Sequence, residues 1–281
     1  MRDITLDLHA AGGAATRSGL IELGHTHRSI RAAVDAGEAV AIGRSWIVLA
    51  DANPSIAAAL RAHGRVGGAT ALRSYGVWVT RIPPLQIATR SNRGVPASAE
   101  GTRLWGRFEL DAQPWRVSVV DALAQHAVRV PRVEAIASID SALHQGLVGE
   151  PELDRLFELL PARCASWRGD LDARAESGLE THLRVPCRDR GWRVESQVPA
   201  PGGGRSDLRI DGWLYLEADG AEHHDAPDQA KRDRVRNASI TDDCGRWLRF
   251  GYAAIIHRAV RTMSTIELVM GQGRPARRLA S

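Results

Sequence analysis

Between residue 13 and about residue 50, apolar positions first recur at helical spacing and then switch to short extended runs. No element is read before residue 13. Residues 14–24 carry apolar side chains three and four apart and reach Gly24, so a helix is expected there. Thr26 is placed to cap a second helix over 27–36, which stops at Gly37. Its Ile30, Ala33 and Val34 share one face and leave His27, Arg28 and Arg31 outside. Two extended runs, 39–42 and 45–49, flank Gly43-Arg44 as a tight hairpin. A helix, a turn, a basic helix and a small hairpin make a winged helix-turn-helix pattern. In such a domain the second helix enters the major groove and Arg44 of the wing meets the phosphate backbone. The competing reading is a small helical module that binds protein.

The middle of the chain is less regular. Residues 54–63 read as a helix, 67–72 open another, and 77–80 and 86–89 read as strands, with a loop over 92–101. Apolar residues at helical spacing run from Val119 to Gln145, and a further helix is expected over 152–160. No repeat and no catalytic constellation stands out, so a scaffold or an interaction surface is expected here.

From residue 171 the order sharpens. A helix over 177–190 precedes strands at 192–198, 207–210 and 213–217, the last two joined by Asp211-Gly212, a favoured two-residue turn. A charged helix over 227–243, a strand over 245–250 and a helix over 252–270 complete an α-β-β-β-α-β-α series. The fold class is therefore an α/β and α+β multidomain protein. It divides into a winged helix-turn-helix at 1–52, a mixed α/β region at 53–170 and a third domain at 171–270. The tail at 271–281 reads as basic and disordered, and its arginines can touch phosphates.

Bulk composition narrows the function classes. The chain has 281 residues, 44% hydrophobic and 25% charged, as soluble globular proteins do. No apolar run approaches membrane-spanning length, and the acidic residues near the start argue against a secretory signal. Three scattered cysteines give neither a disulfide framework nor a zinc pattern, so a cytoplasmic setting is expected. The net charge of +4 permits a polyanionic partner. Between residues 17 and 90, nine arginines stand against four acidic residues, and Lys231 is the single lysine of the chain. DNA is the expected partner; a second copy of the chain or a protein from a neighbouring gene are further options, and a membrane is not.

The chemistry concentrates near residue 210. Asp207 and Glu217 sit on neighbouring strands, and Asp219 follows Glu217 by two residues, hence on the same strand face. Glu180 on the preceding helix can add a fourth carboxylate. Such a cluster is strongly electronegative without a cation. Magnesium, or manganese in its place, prefers a few carboxylate oxygens plus waters, which suits hydrolysis of a phosphodiester. His223-His224 follow directly, and one of them can act as a general base near neutral pH. Lys231 and Arg232 can meet phosphates, although Asp228 and Asp233 offer them ordinary helical partners. The bland alternative is a set of solvated strand-end carboxylates.

These residues carry a resemblance. The stretch Arg174-Ala-Glu-Ser-Gly-Leu-Glu180, with Arg205-Ser-Asp207, Leu216-Glu-Ala-Asp-Gly220, His223-His224, Arg232-Asp233 and Gly245-Arg-Trp-Leu-Arg-Phe250, resembles very-short-patch-repair-like endonuclease domains. These belong to the PD-(D/E)XK nuclease superfamily, and the resemblance spans about 171–270. It implies metal binding by Asp207, Glu217 and Glu180, and a site histidine at His223 or His224. The N-terminal region is similar to the winged helix of AbiEi-family antitoxins. The pattern departs at one place: Asp219 stands where the family has the lysine that orients the attacking water. That task would pass to His223, His224, Lys231 or Arg232. The expected function is a metal-dependent DNA endonuclease; the alternative is a DNA-binding regulator or antitoxin whose nuclease-like domain is degenerate.

Overall fold

The computed structural model describes residues 3–90, 100–220 and 245–275. The chain forms two compact units, one of residues 1–129 with 150–161 and one of residues 130–149 with 162–281. Both mix helices with small sheets. Among the described residues, no helix is long and apolar enough to cross a membrane.

The first unit opens with a helix that the sequence pattern hides, α1 (Ile4–Ala10), capped by Asp3 accepting from the Thr5 amide. Ile4, Leu6 and Leu8 alternate as they would in a strand. The helix instead puts Ile4 and Leu8 on its buried face and leaves Leu6 66% exposed. The helix expected over 14–24 is corrected to a strand, β1 (Ala14–Thr16), followed by α2 (Arg17–Glu22). Thr16 is the cap rather than a helical residue: its hydroxyl accepts the Gly19 amide at 3.0 Å. Helix α3 (His27–Asp35) starts at Thr26 in a reciprocal capping box with Ser29. Strands β2 (Ala39–Ile42) and β3 (Trp46–Leu49) form the hairpin, and β1 adds to the other edge of β3. Ile4, Leu8, Leu20, Ile30, Ile47 and Leu49 make the core beneath. His25, embedded here, hydrogen-bonds through Nε2 to Asp7 Oδ2 at 2.7 Å.

The rest of this unit carries α4 (Pro54–Arg61), β4 (Arg65–Val66), α5 (Gly68–Ser74), β5 (Gln86–Thr89) and β6 (Thr102–Trp105). Strand β5 lies between β4, antiparallel, and β6, parallel. No strand forms over 77–80. Gly76 takes a left-handed turn at φ +78° and Val77 folds back to donate its amide to the Leu72 carbonyl. Val77 is thus the apolar residue that seals a helix end. The long helical run from Val119 is split by Pro131 into α6 (Val119–Ala127) and α7 (Arg132–His144), because a proline cannot continue a helix. Helix α8 (Glu150–Leu159) packs on α6.

In the second unit α7 packs against α9 (Gly178–Asp189). Between them, Asp140 is 1% exposed and Arg184 fully buried, their side chains 2.5 Å apart. Asp140 also accepts the Thr181 hydroxyl at 2.7 Å and the Asp172 amide at 2.8 Å. Burial pushes the Asp140 carboxyl up, and Arg184 pulls it back. Such a pair is costly to break rather than strongly stabilising. Its effect is positional: it clamps the α9 turn that carries Glu180.

Helix α9 covers a sheet of order β10-β9-β8-β7, built from β7 (Val194–Pro199), β8 (Arg205–Ile210), β9 (Leu214–Asp219) and β10 (Arg246–Gly251). The first three run antiparallel and β10 is parallel to β9. Along β8, Ser206, Leu208 and Ile210 are buried and alternate with Arg205, Asp207 and Arg209. A π-helical turn (Ala253–His257) and α10 (Ala259–Gly271) follow.

The two-residue turn expected at Asp211-Gly212 needs correction. Both residues do take left-handed φ, +47° and +76°, and the Trp213 amide reaches the Ile210 carbonyl at 3.1 Å. The ladder, however, resumes with Ile210 opposite Leu214, so Trp213 is an extra residue in the loop. A two-residue loop would place Asp207 opposite Leu216 and turn Asp207 and Glu217 to different faces. With Trp213 in the loop, the register carries Asp207 opposite Glu217.

Candidate carboxylate site on the second-unit sheet

Four strands each contribute one residue to a single transverse row. Ser196 pairs with Leu208 and Val198 with Ser206, which puts Gln197 opposite Asp207. Leu208 pairs with Leu216, which puts Asp207 opposite Glu217. Glu217 pairs with Arg249 on β10. The row therefore reads Gln197, Asp207, Glu217, Arg249.

The backbone is irregular where the row crosses β7 and β8. Gln197 holds φ +54°, left-handed for a non-glycine residue in a strand. Such a conformation costs on the order of 1–3 kcal/mol and tends to gather at functional sites. The β8–β9 ladder stops at Leu208–Leu216. Beyond it the Ala218 amide donates to Asp207 Oδ2 at 2.8 Å, and the buried Ser206 hydroxyl donates to the Leu216 carbonyl at 3.1 Å. Side chains thus replace strand hydrogen bonds at the point where the carboxylates stand.

Glu180 joins from the N-terminus of α9. Ser177 caps that helix, and its hydroxyl donates to Glu180 Oε1 at 3.0 Å. Gln197 Nε2 donates to Glu180 Oε2 at 2.9 Å, and the Glu176 amide adds a bond at 3.2 Å. Burial, then the charge of Asp207, pushes the Glu180 carboxyl up to about 6, and the hydrogen bonds offset only part of that rise. Asp207 is also raised, first by burial and then by Glu217, Glu176 and Asp219, against the Ala218 amide.

Cations close the site on two sides. Arg249 Nη2 lies 2.7 Å from Glu217 Oε2, and its Nε lies 3.3 Å from Asp219 Oδ2. Its guanidinium sits 4.7 Å from the centre of the Trp247 ring, which holds its plane. Arg205 pairs with Glu176.

The residues expected from the sequence distribute as follows. Glu180, Asp207 and Glu217 come into one electrostatic neighbourhood, with Asp219 half-exposed at its rim. Among the described residues, however, no three His, Cys, Asp or Glu side chains converge as a ready metal cage. A hard divalent ion needs only one or two carboxylates plus waters. The oxygen donors and their mutual repulsion fit that demand at Asp207 and Glu217. His223, His224, Lys231 and Arg232 lie outside the described residues, as does the helix expected over 227–243.

Gln197 and Arg249 escaped sequence reasoning. Gln197 reads as an ordinary strand residue, and nothing short of its backbone conformation marks it. Arg249 has a signal: with Arg246 it is one of two arginines in an otherwise apolar-aromatic strand, four residues after Gly245.

In the first unit, His27, Arg28 and Arg31 are exposed along α3, and Arg44 is exposed at the hairpin turn. Arg17 joins His27, Arg28 and Arg31 around one surface hollow. Comparison of the chain with family models, curated proteins and solved structures finds no match.

Proposed function

We propose that the chain is a divalent-metal-dependent DNA endonuclease, its second unit hydrolysing phosphodiester bonds and its N-terminal helices supplying DNA affinity. The supporting observation is the transverse row that sets Asp207 opposite Glu217 with Glu180 electrostatically coupled to it. In this reading the row belongs to a PD-(D/E)XK-type core, and α3 with the β2–β3 hairpin to a winged helix.

A bound magnesium or manganese ion would neutralise the scissile phosphate and supply an activated water. Asp207 and Glu217 are the residues that would hold it. Glu180, with its carboxyl raised to about 6, exchanges a proton close to neutrality, and Gln197 fixes the orientation of that carboxyl. Arg249 supplies a cation beside the site that lacks the family's lysine, and a guanidinium fork suits a phosphate oxygen. His223, His224 and Lys231 retain their proposed roles with water and phosphate. Around α3, His27, Arg28 and Arg31 would face the duplex and Arg44 its backbone. A reducing cytoplasm is the proposed setting. Cys164 and Cys187 are free and buried, and burial pushes the Cys187 thiol up to about 12.

One observation favours a second reading, a DNA-binding regulator with a degenerate nuclease domain. Arg249 already bridges Glu217 and Asp219, so the carboxylates have a neutralising partner without a metal ion. Calorimetric titration with manganese separates the two. The endonuclease reading expects saturable binding that Asp207→Ala abolishes. A wild-type protein that takes up no divalent ion sinks that reading and leaves the regulator.

A further inference from the structure

We propose that the first unit contains a phosphate-binding pocket formed by Arg65, Arg90 and His63, separate from the carboxylate row and independent of it. The pocket is a cavity of about 180 Å³ lined by these three residues with Gly64, Thr89 and Phe108 among others. Among the described residues, no carboxylate lines it.

Strand pairing assembles the cations. Arg65 on β4 pairs with Ala88 on β5. Arg90 follows the end of β5 and His63 closes the helix that precedes β4, and both line the same pocket as Arg65. Aromatic rings hold the guanidinium planes. Arg65 lies 4.8 Å from the Trp46 ring centre and Arg90 lies 4.9 Å from that of Phe108. Among the described residues, each arginine has one protein hydrogen bond, Arg65 Nη1 to the Gly64 carbonyl at 2.8 Å and Arg90 Nη2 to the Phe108 carbonyl at 2.9 Å. Neither pairs with a carboxylate among the described residues, and Arg65 Nε is buried without a hydrogen-bond partner. Arg65 is half-buried and Arg90 is exposed beside it, and two adjacent guanidinium groups repel each other, a cost that an anion bound between them removes. Burial, and then Arg90, holds the Arg65 guanidinium below its usual range, as that repulsion requires. Planar forks with free N–H groups match phosphate oxygens in a bidentate manner.

The third member is held there against backbone preference. Helix α4 ends with the His63 amide bonded to the Leu60 carbonyl and the Gly64 amide bonded to the Ala59 carbonyl. In that helix end the residue at position 63 must take left-handed φ, +55° here, a place normally given to glycine. Gly64 cannot be exchanged either, since a Cβ there would collide with Ile87 and lie 2.8 Å from the Ala88 carbonyl oxygen. A histidine in the strained position and a glycine beside it present an imidazole at the pocket mouth. Arg65 also lines the hollow that contains Arg44 and Trp46, so the pocket adjoins the hairpin arginine.

The ligand is a phosphate group, either a backbone phosphate of DNA or a free phosphoryl anion. Thermal-shift titration with inorganic phosphate at constant ionic strength, without divalent metal, tests the pocket directly. Wild-type protein and the Arg73→Gln control should be stabilised. The Arg65→Gln/Arg90→Gln variant should require about tenfold or more phosphate for the same shift. His63→Gly should be more stable without ligand yet respond more weakly, a split that a purely structural role does not produce. Phosphate competing with a short duplex assigns the pocket to backbone phosphates; stabilisation without competition assigns it to free phosphoryl groups. An unchanged phosphate response in the double arginine variant, with native circular dichroism, overturns the proposal. Because no metal or cleavage is involved, failure of the endonuclease reading would leave this result standing.

Discussion

Glu217 and Arg249 stand opposite one another on the parallel strands β9 and β10, with Nη2 2.7 Å from Oε2. This pair places a cation beside Glu217 and Asp219, and it bears on how the carboxylates are tolerated. Glu217 is 7% exposed, so removing Arg249 takes a cation at 2.7 Å away from a nearly buried carboxylate. Arg249→Gln should cost about 1–3 kcal/mol of unfolding free energy in urea. The double variant with Glu217→Gln should recover part of that loss. Additive losses would show that the pair does not couple.

The raised carboxyl of Glu180 makes stability depend on pH in a definite direction. Its ordinary value is 4.5 and the folded protein lifts it to about 6, so the folded state binds the proton more tightly than the unfolded chain. Stability from this group is present below pH 4.5 and is lost as pH rises to about 6, by roughly 2 kcal/mol. Glu180→Gln keeps the shape and can still meet Ser177 and Gln197. It should be more stable than wild type at pH 8 and nearly equal at pH 4. Urea melts across that range check the crossover.

The clamp beneath the site should be intolerant. Asp140→Ala strands Arg184, which is fully buried between α7 and α9. A loss of about 3–5 kcal/mol is expected from an uncompensated buried charge. Circular dichroism melts should show it as a large drop in midpoint, with Asp140→Asn intermediate.

The β8–β9 turn sets the register of the acidic pair. Asp211 holds φ +47° and its carboxylate accepts the Arg193 amide at 2.9 Å. Asp211→Ala should cost roughly 1–2 kcal/mol, from left-handed strain plus the lost bond. Asp211→Gly should recover the strain part. Equal losses for the two variants would show that backbone conformation contributes nothing there.

How far the fold was legible follows from which interactions are local. A helix cap such as Thr26 announces itself because its hydrogen bond spans three residues. The α9-β7-β8-β9 succession and the strand at 246–251 were readable from apolar runs and glycines. Helix α1 was not, because Ile4, Leu6 and Leu8 fit a strand pattern as well as one helix face. Strand β6 was missed because its pairing with β5 is long-range and only Leu104 in it is buried. Within the site, Asp207, Glu217 and Glu180 were legible by residue type. Their juxtaposition depends on Trp213 as an extra loop residue, which no local pattern reveals. The roles of Gln197 and Arg249 arise from cross-strand register, a tertiary property.

The most direct measurement is cleavage of supercoiled, linear, mismatched and single-stranded DNA by the purified chain with magnesium or manganese. Metal-dependent cutting of at least one substrate is expected, lowered by about two orders of magnitude or more in Asp207→Ala, since even residues that only support a metal ligand cost 10–100-fold. No cutting of any substrate, or cutting that survives Asp207→Ala unchanged, would contradict the endonuclease assignment.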